Sequence, residues 1–198
     1  MKYDVVIVGG GLGGLLCGYI LSKHGSRVVV LEKNAVVGGC LQSFRRHGIL
    51  FDTGMHYVGS VEPGQLLYRF WKYFDLLGDI RLRKLDEQAF DVVSYGGCRY
   101  PSAMGYEPWR EQLARFFPAE REALQRYTED LYKLSVSSPV SRLEEVGQAL
   151  PLEVEYVKTS ASEYIARLTA DPVLRNVLAG NTPLYAGKKG CTPFYIHA

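Results

Sequence analysis

The stretch from Tyr3 to Glu32 constrains the fold more than any other part of the chain. Tyr3 to Val8 is dominated by β-branched residues and bounded by glycine, which predicts a parallel strand buried on both faces. Gly9-Gly10-Gly11-Leu12-Gly13-Gly14 follows, and Leu15 to His24 then reads as a helix halted by Gly25. Arg27 to Leu31 is a second buried strand that ends at Glu32. The result is a βαβ unit with glycines at 9, 11 and 14 and an acid about twenty residues further on, the fingerprint of a dinucleotide site. In that fingerprint Gly9 makes the tight turn, Gly11 admits a pyrophosphate to the backbone, and Gly14 lets helix and sheet pack closely. The helix start offers N–H groups and a positive dipole end to phosphate, and Glu32 accepts from the ribose hydroxyls. The alternative, a glycine-rich turn with no ligand, leaves the combination of strand, helix and acid unexplained.

Further along, Gly38-Gly39-Cys40 precedes a hairpin in which Gln42 to Arg46 and Ile49 to Asp52 flank His47-Gly48. Adjacent residues without Cβ permit close contact with an extended dinucleotide, and Gly54 permits the same beneath a flat ring, although each alone is more often only a turn. From Gln65 to Leu77 the apolar side chains Leu66, Leu67, Phe70, Trp71, Phe74 and Leu77 keep helical spacing. This aromatic face is read first as core; its alternatives are the lining of an opening for a long apolar substrate or a peripheral membrane contact.

After residue 78 the composition shifts. Ile80 to Leu85 and Phe90 to Tyr95 read as strands, with Gly96-Gly97 turning the chain before Arg99-Tyr100-Pro101. Trp109 to Phe117 is a helix, and Pro118 halts it and opens another with Leu124, Tyr127, Leu131 and Leu134 along one face. Ser135 to Ser141 is expected to be a loop. Ser160-x-x-Glu163 has the form of a capping box for a helix through Leu168, and Asp171-Pro172 caps and starts the next, closed by Gly180. Residues 1–78 and 79–198 are therefore expected to be separate segments, the second mostly helical with a small antiparallel sheet.

The 198 residues are 47% hydrophobic and 22% charged with a net charge of +2, which excludes a disordered chain and gives no electrostatic footprint for nucleic acid. The four cysteines form no CxxC pair and no zinc set, so no metal is expected and the chain is read as cytoplasmic, with membrane association limited to the surface. No apolar run reaches the roughly 20 residues that cross a bilayer.

The segment VVIVGGGLGGLLCGYILSKHGSRVVVLEKNAVVGGCLQSFRRHGILFDTGMHYVG resembles the amino-terminal region of flavin-dependent phytoene desaturases, carotenoid isomerases and retinol saturases, and FDTGMHYVG is similar to the saturase branch. The likeness is specific over residues 3–60 and looser beyond. It implies an α/β fold, a Rossmann-like FAD-binding βαβ domain joined to part of a mixed α+β substrate domain. By the same resemblance, the positions that hold FAD are Gly9, Gly11, Leu12, Gly13, Gly14, Glu32, Lys33, Gly38, Gly39, Cys40, Thr53 and Gly54. The glycine fingerprint and the acid hold the ADP part, the GG segment lies along the pyrophosphate and ribityl chain, and the FDTG turn approaches the flavin ring. Members of that family are much longer, so the chain is expected to be an amino-terminal piece that lacks a carboxy-terminal half.

The expected activity is that of an FAD-dependent oxidoreductase acting on C=C bonds of a polyene or other lipophilic substrate, with NAD(P) as a further candidate electron donor or acceptor. Two alternatives stay open: a flavin amine or porphyrinogen oxidase of the same fold, and a non-redox lipid carrier like the GDP-dissociation inhibitors. His56 is the one weak catalytic candidate, set against a structural histidine. Arg81, Arg83 and Lys84 are read as a solvated strand face, and Cys17 and Cys40 as small packing residues.

Overall fold

The computed structural model describes residues 2–55, 57–137 and 154–198. The chain divides into two compact units, Met1–Arg81 and Leu82–Ala198.

In the first unit β1 (Val5–Val8) and β2 (Val28–Leu31) pair in parallel, Val5 opposite Val28 and Val8 opposite Leu31, with α1 (Leu12–Lys23) crossing between them. The pair is clamped at its open end, where Arg27 Nε and Nη2 donate to the two carboxylate oxygens of Asp4 at 3.0 and 2.8 Å. Gly18 lets α1 lie on the sheet: a Cβ there would sit 3.4 Å from Val30 Cγ2 and 3.6 Å from Ile7 Cδ1. Cys17, beside it, turns to solvent, as does Cys40, so neither is the packing residue that composition suggested. The helix ends in a Schellman arrangement, with Gly25 N–H on Ser22 O, Ser26 N–H on Leu21 O, and Gly25 at φ +90°.

The expectation that β1 is buried on both faces fails. Val6 is 56% and Val8 86% exposed, because α1 covers only one side of the two-stranded sheet among the described residues. A second pair, β3 (Ser43–Arg46) and β4 (Ile49–Asp52), is antiparallel about His47-Gly48, both at positive φ as a two-residue turn requires. α2 spans Leu66–Tyr73, four residues shorter at its end than the apolar spacing predicts. Asp75 takes φ +58° and closes a second Schellman motif, with Leu76 N–H on Trp71 O. Its carboxylate is held by Tyr19 Oη at 2.5 Å and Lys23 Nζ at 3.3 Å, and Phe74 packs edge-on to Tyr19. Specific anchorage to α1 thus overrides helical periodicity, and the aromatic face is half-buried around a buried Phe74.

The second unit starts without the strand expected over 80–85. Residues 81–86 have no regular structure, and Leu82 is 53% exposed. Alternation alone does not make a strand without a neighbouring ladder to pair with, and none among the described residues pairs with this segment. Arg81, Arg83 and Lys84 are exposed, but on irregular chain rather than a strand face. The antiparallel hairpin of β5 (Asp91–Tyr95) and β6 (Cys98–Ser102) follows, turning at Gly96-Gly97 with φ +59° and +79°.

α3 (Tyr106–Phe116) packs on β6, and a 3-10 turn at Pro118–Glu120 leads into α4 (Arg121–Ser137). Of the loop expected over 135–141, residues 135–137 are instead helical, and 138–141 lie outside the described residues. α5 (Val154–Lys158), α6 (Ala161–Leu168), α7 (Pro172–Leu178) and the short α8 (Phe194–His197) are the later helices among the described residues. Ser160 Oγ accepts from Glu163 N–H at 3.2 Å, and Asp171 Oδ1 accepts from Val173 and Leu174 N–H at 2.7 and 3.0 Å, as capping chemistry requires. The core centres on Leu113, Leu124, Leu174 and Phe194, with Tyr164 stacked on Phe194 at 3.6 Å. Among the described residues no helix is long and apolar enough to cross a membrane.

Candidate functional site

The glycines after β1 have separate physical tasks. Gly9 stands at φ +108°, which a side chain would strain, and its N–H donates to Leu31 O at 2.8 Å. A Cβ on Gly14 would lie 2.0 Å from Gly9 O and 3.3 Å from Ile7 Cγ2, so only glycine fits where the helix passes under the loop. Gly13, by contrast, faces open space.

Glu32 closes the loop from the neighbouring strand. Its Oε2 accepts from Gly10 N–H at 2.7 Å and its Oε1 from Asn34 N–H at 2.9 Å. These backbone donors, Asn34 first and Gly10 second, hold the carboxyl below its usual range and so keep it ionised at neutral pH. A carboxylate offers about four acceptor sites, so two bonds leave it able to accept from hydroxyls.

The Gly38-Gly39 segment joins the same loop. Gly38 N–H donates to Gly10 O at 2.7 Å, Gly38 pairs with Gly11 in a parallel bridge, and a Cβ on Gly39 would meet Gly11 Cα at 3.1 Å. Both glycines adopt positive φ, +116° and +58°. Cys40 is exposed in the 3-10 turn Gly39–Leu41. Thr53 Oγ1 lies within donating distance of Cys40 O at 2.9 Å and Gln42 O at 2.6 Å, and a Cβ on Gly54 would strike Cys40 O at 2.5 Å. Thr53 and Gly54 therefore wedge the hairpin against the second glycine loop.

At the start of α1, Gly11 supplies no side-chain cap and the first turn has no acidic residue, which leaves the leading N–H groups and the dipole end without an internal acceptor. Leu12, the first helical residue, is 53% exposed, and Lys33 is exposed just beyond Glu32. The structure thus gathers Gly9, Gly11, Leu12, Gly13, Gly14, Glu32, Gly38 and Gly39 around two joined loops. His56 lies outside the described residues. Sequence reasoning passed over Gly10, whose N–H ties the first glycine loop to Glu32; the unbroken run of three glycines was the signal for it.

Known proteins share parts of this sequence and fold. Residues 7–74 match a family described as an NAD(P)-binding Rossmann-like domain. The human all-trans-retinol 13,14-reductase is 31% identical over 222 residues, an alignment that covers 100% of this chain and 35% of that protein. Relatives of the chain carry the names retinol 13,14-reductase and prolycopene isomerase. Prolycopene isomerase 2 of an Oncidium hybrid is 27% identical over 189 residues, covering 87% of this chain and 32% of its own length. The fold is shared with a putrescine oxidase double mutant at TM-score 0.59 and 21% identity, covering 90% of this chain and 36% of that one. The chain spans about a third of the length of the curated relatives it matches.

Proposed function

We propose that this chain binds FAD through the two glycine loops and Glu32, and that the protein to which they belong is an oxidoreductase acting on C=C bonds of a lipophilic polyene. The observation that carries the reading is the placement of Glu32. It is an ionised carboxylate at the tip of β2, bonded to the middle of the first glycine loop and retaining acceptor capacity beside an uncapped helix start. That combination suits a ribose hydroxyl pair attached to a pyrophosphate, and a carboxylate there disfavours a 2′-phosphate.

In this reading Leu12, Gly13 and Gly14 N–H groups donate to pyrophosphate oxygens, and open space at Gly13 keeps the approach clear. Gly11, Gly38 and Gly39 keep the second loop close without side chains in the way, with Lys33 and Cys40 at its margins. Thr53 and Gly54 fix that loop from behind. FAD, when bound, supplies the hydride chemistry. The names of the relatives, retinol 13,14-reductase and prolycopene isomerase, support a polyene substrate class.

The test is FAD affinity, by quenching of flavin fluorescence, in the chain and in Glu32→Ala. Loss of hydrogen bonds to a charged acceptor predicts affinity weaker by about tenfold or more. Unchanged affinity removes the ribose assignment.

A further inference from the structure

The second unit holds a cavity that the dinucleotide reading does not use. It has a volume of about 410 Å³ and lies between α6 and α7, bounded by the 182–185 turn and the loop that leads to α8. Its floor is buried and apolar at Ala161 and Ile165, with His197 4% exposed beside them. The charged residues lining it are Arg175, Lys188 and Lys189, and no carboxylate lines it.

Arg175 is oriented without being neutralised. Its Nε donates to Thr169 O at 2.7 Å and its Nη2 to Ala166 O at 3.0 Å, and among the described residues it has no acidic partner. Lys188 and Lys189 have none either, and Thr192 Oγ1 accepts from Lys188 N–H at 2.7 Å, which leaves the hydroxyl proton to donate. Several cations elsewhere in the unit do pair: Arg121 with Glu111, Lys133 with Asp130, and Arg167 with both Glu155 and Glu163. His197 adds no charge near neutral pH, since burial pulls its pKa down to about 4, and its two ring nitrogens lie 2.8 and 2.6 Å from Tyr127 Oη and Tyr185 Oη. Like charges converging over a low-dielectric floor focus a positive potential where a counter-charge is bound most strongly.

We infer that this cavity is a binding site for an anionic group carried on an apolar body, the chemistry of a fatty carboxylate. The volume falls in the range of small-molecule sites, and the pairing of apolar floor with cationic margin matches a ligand of two parts. This inference does not rest on FAD binding, and flavin retention serves as a separate readout.

The experiment is calorimetric titration of the full chain with decanoate, decanol and inorganic phosphate, repeated on the Lys188→Ala/Lys189→Ala double variant. Both lysines are exposed, so the melting temperature should hold. The expected result is saturable decanoate binding about tenfold tighter than decanol, falling about tenfold in the double variant. Phosphate weaker than decanoate supports the apolar body; phosphate equally tight keeps the anion site but overturns the apolar half of the inference. Equal binding of decanoate and decanol, binding of neither anion, or an unchanged double variant overturns the site.

Discussion

Lowering the pH should unfold the second unit through one histidine. His197 is 4% exposed, and burial pulls its pKa from the ordinary 6.5 down to about 4. Tyr127 Oη has His197 Nε2 as its acceptor, while Tyr185 Oη is within 3.3 Å of Thr182 Oγ1 as a donor. This favours the tautomer with the proton on Nδ1, donated to Tyr185. A second proton on Nε2 would turn the Tyr127 hydroxyl from donor to acceptor and leave its own proton without an acceptor among the described residues.

The sign follows directly: between about pH 4 and 6.5 the unfolded chain binds more protons at this position than the folded one, so stability rises with pH. The stabilisation is complete above pH 6.5 and is lost progressively down to about pH 4. The gap corresponds to about 3 kcal/mol. Asp130 does not contribute in this window, because its carboxyl is held below its ordinary 3.8: hydrogen bonds from Tyr164 and Lys133 outweigh the desolvation that opposes them. Urea unfolding of the full chain, followed by near-ultraviolet circular dichroism at a series of pH values, measures the slope. His197→Gln should be less stable at pH 7.5 and should lack most of the slope between pH 6.5 and 4. The same slope in both proteins would refute the argument.

Other perturbations test separate parts of the structure. Gly14→Ala drives a methyl into Gly9 O and should cost about 1–3 kcal/mol and weaken FAD binding, measured by the urea midpoint and flavin titration. Gly13→Ala meets open space, so its stability effect should be within about 1 kcal/mol, the helix-propensity scale. Asp171→Ala removes the acceptor for two N–H groups at the start of α7 and should cost about 1 kcal/mol in the same assay.

What was legible from sequence was local chemistry. Glycine at positive φ marked the His47-Gly48 and Gly96-Gly97 turns, and Ser160 and Asp171 announced their helices through side-chain geometry confined to three residues. The βαβ unit was legible because glycine spacing and Glu32 encode one loop. What sequence left hidden depended on distant partners. Asp75 ends α2 because Tyr19 and Lys23 receive it from a helix some fifty residues earlier. The alternation over 80–85 found no ladder, and β1 kept an open face because a strand's composition does not state how many layers cover it. At the site, the spacing pointed to Glu32 but not to its backbone partner, Gly10 N–H, and His197 drew no notice until the fold set it between tyrosines 70 and 12 residues away.

The most direct measurement is a titration of the purified full chain with FAD, followed by flavin absorbance and fluorescence. The joined glycine loops predict saturation at one FAD per chain, displaced by ADP and weakened by Glu32→Ala. A chain that folds with an intact second unit yet leaves FAD fluorescence unchanged at saturating protein would contradict the assignment.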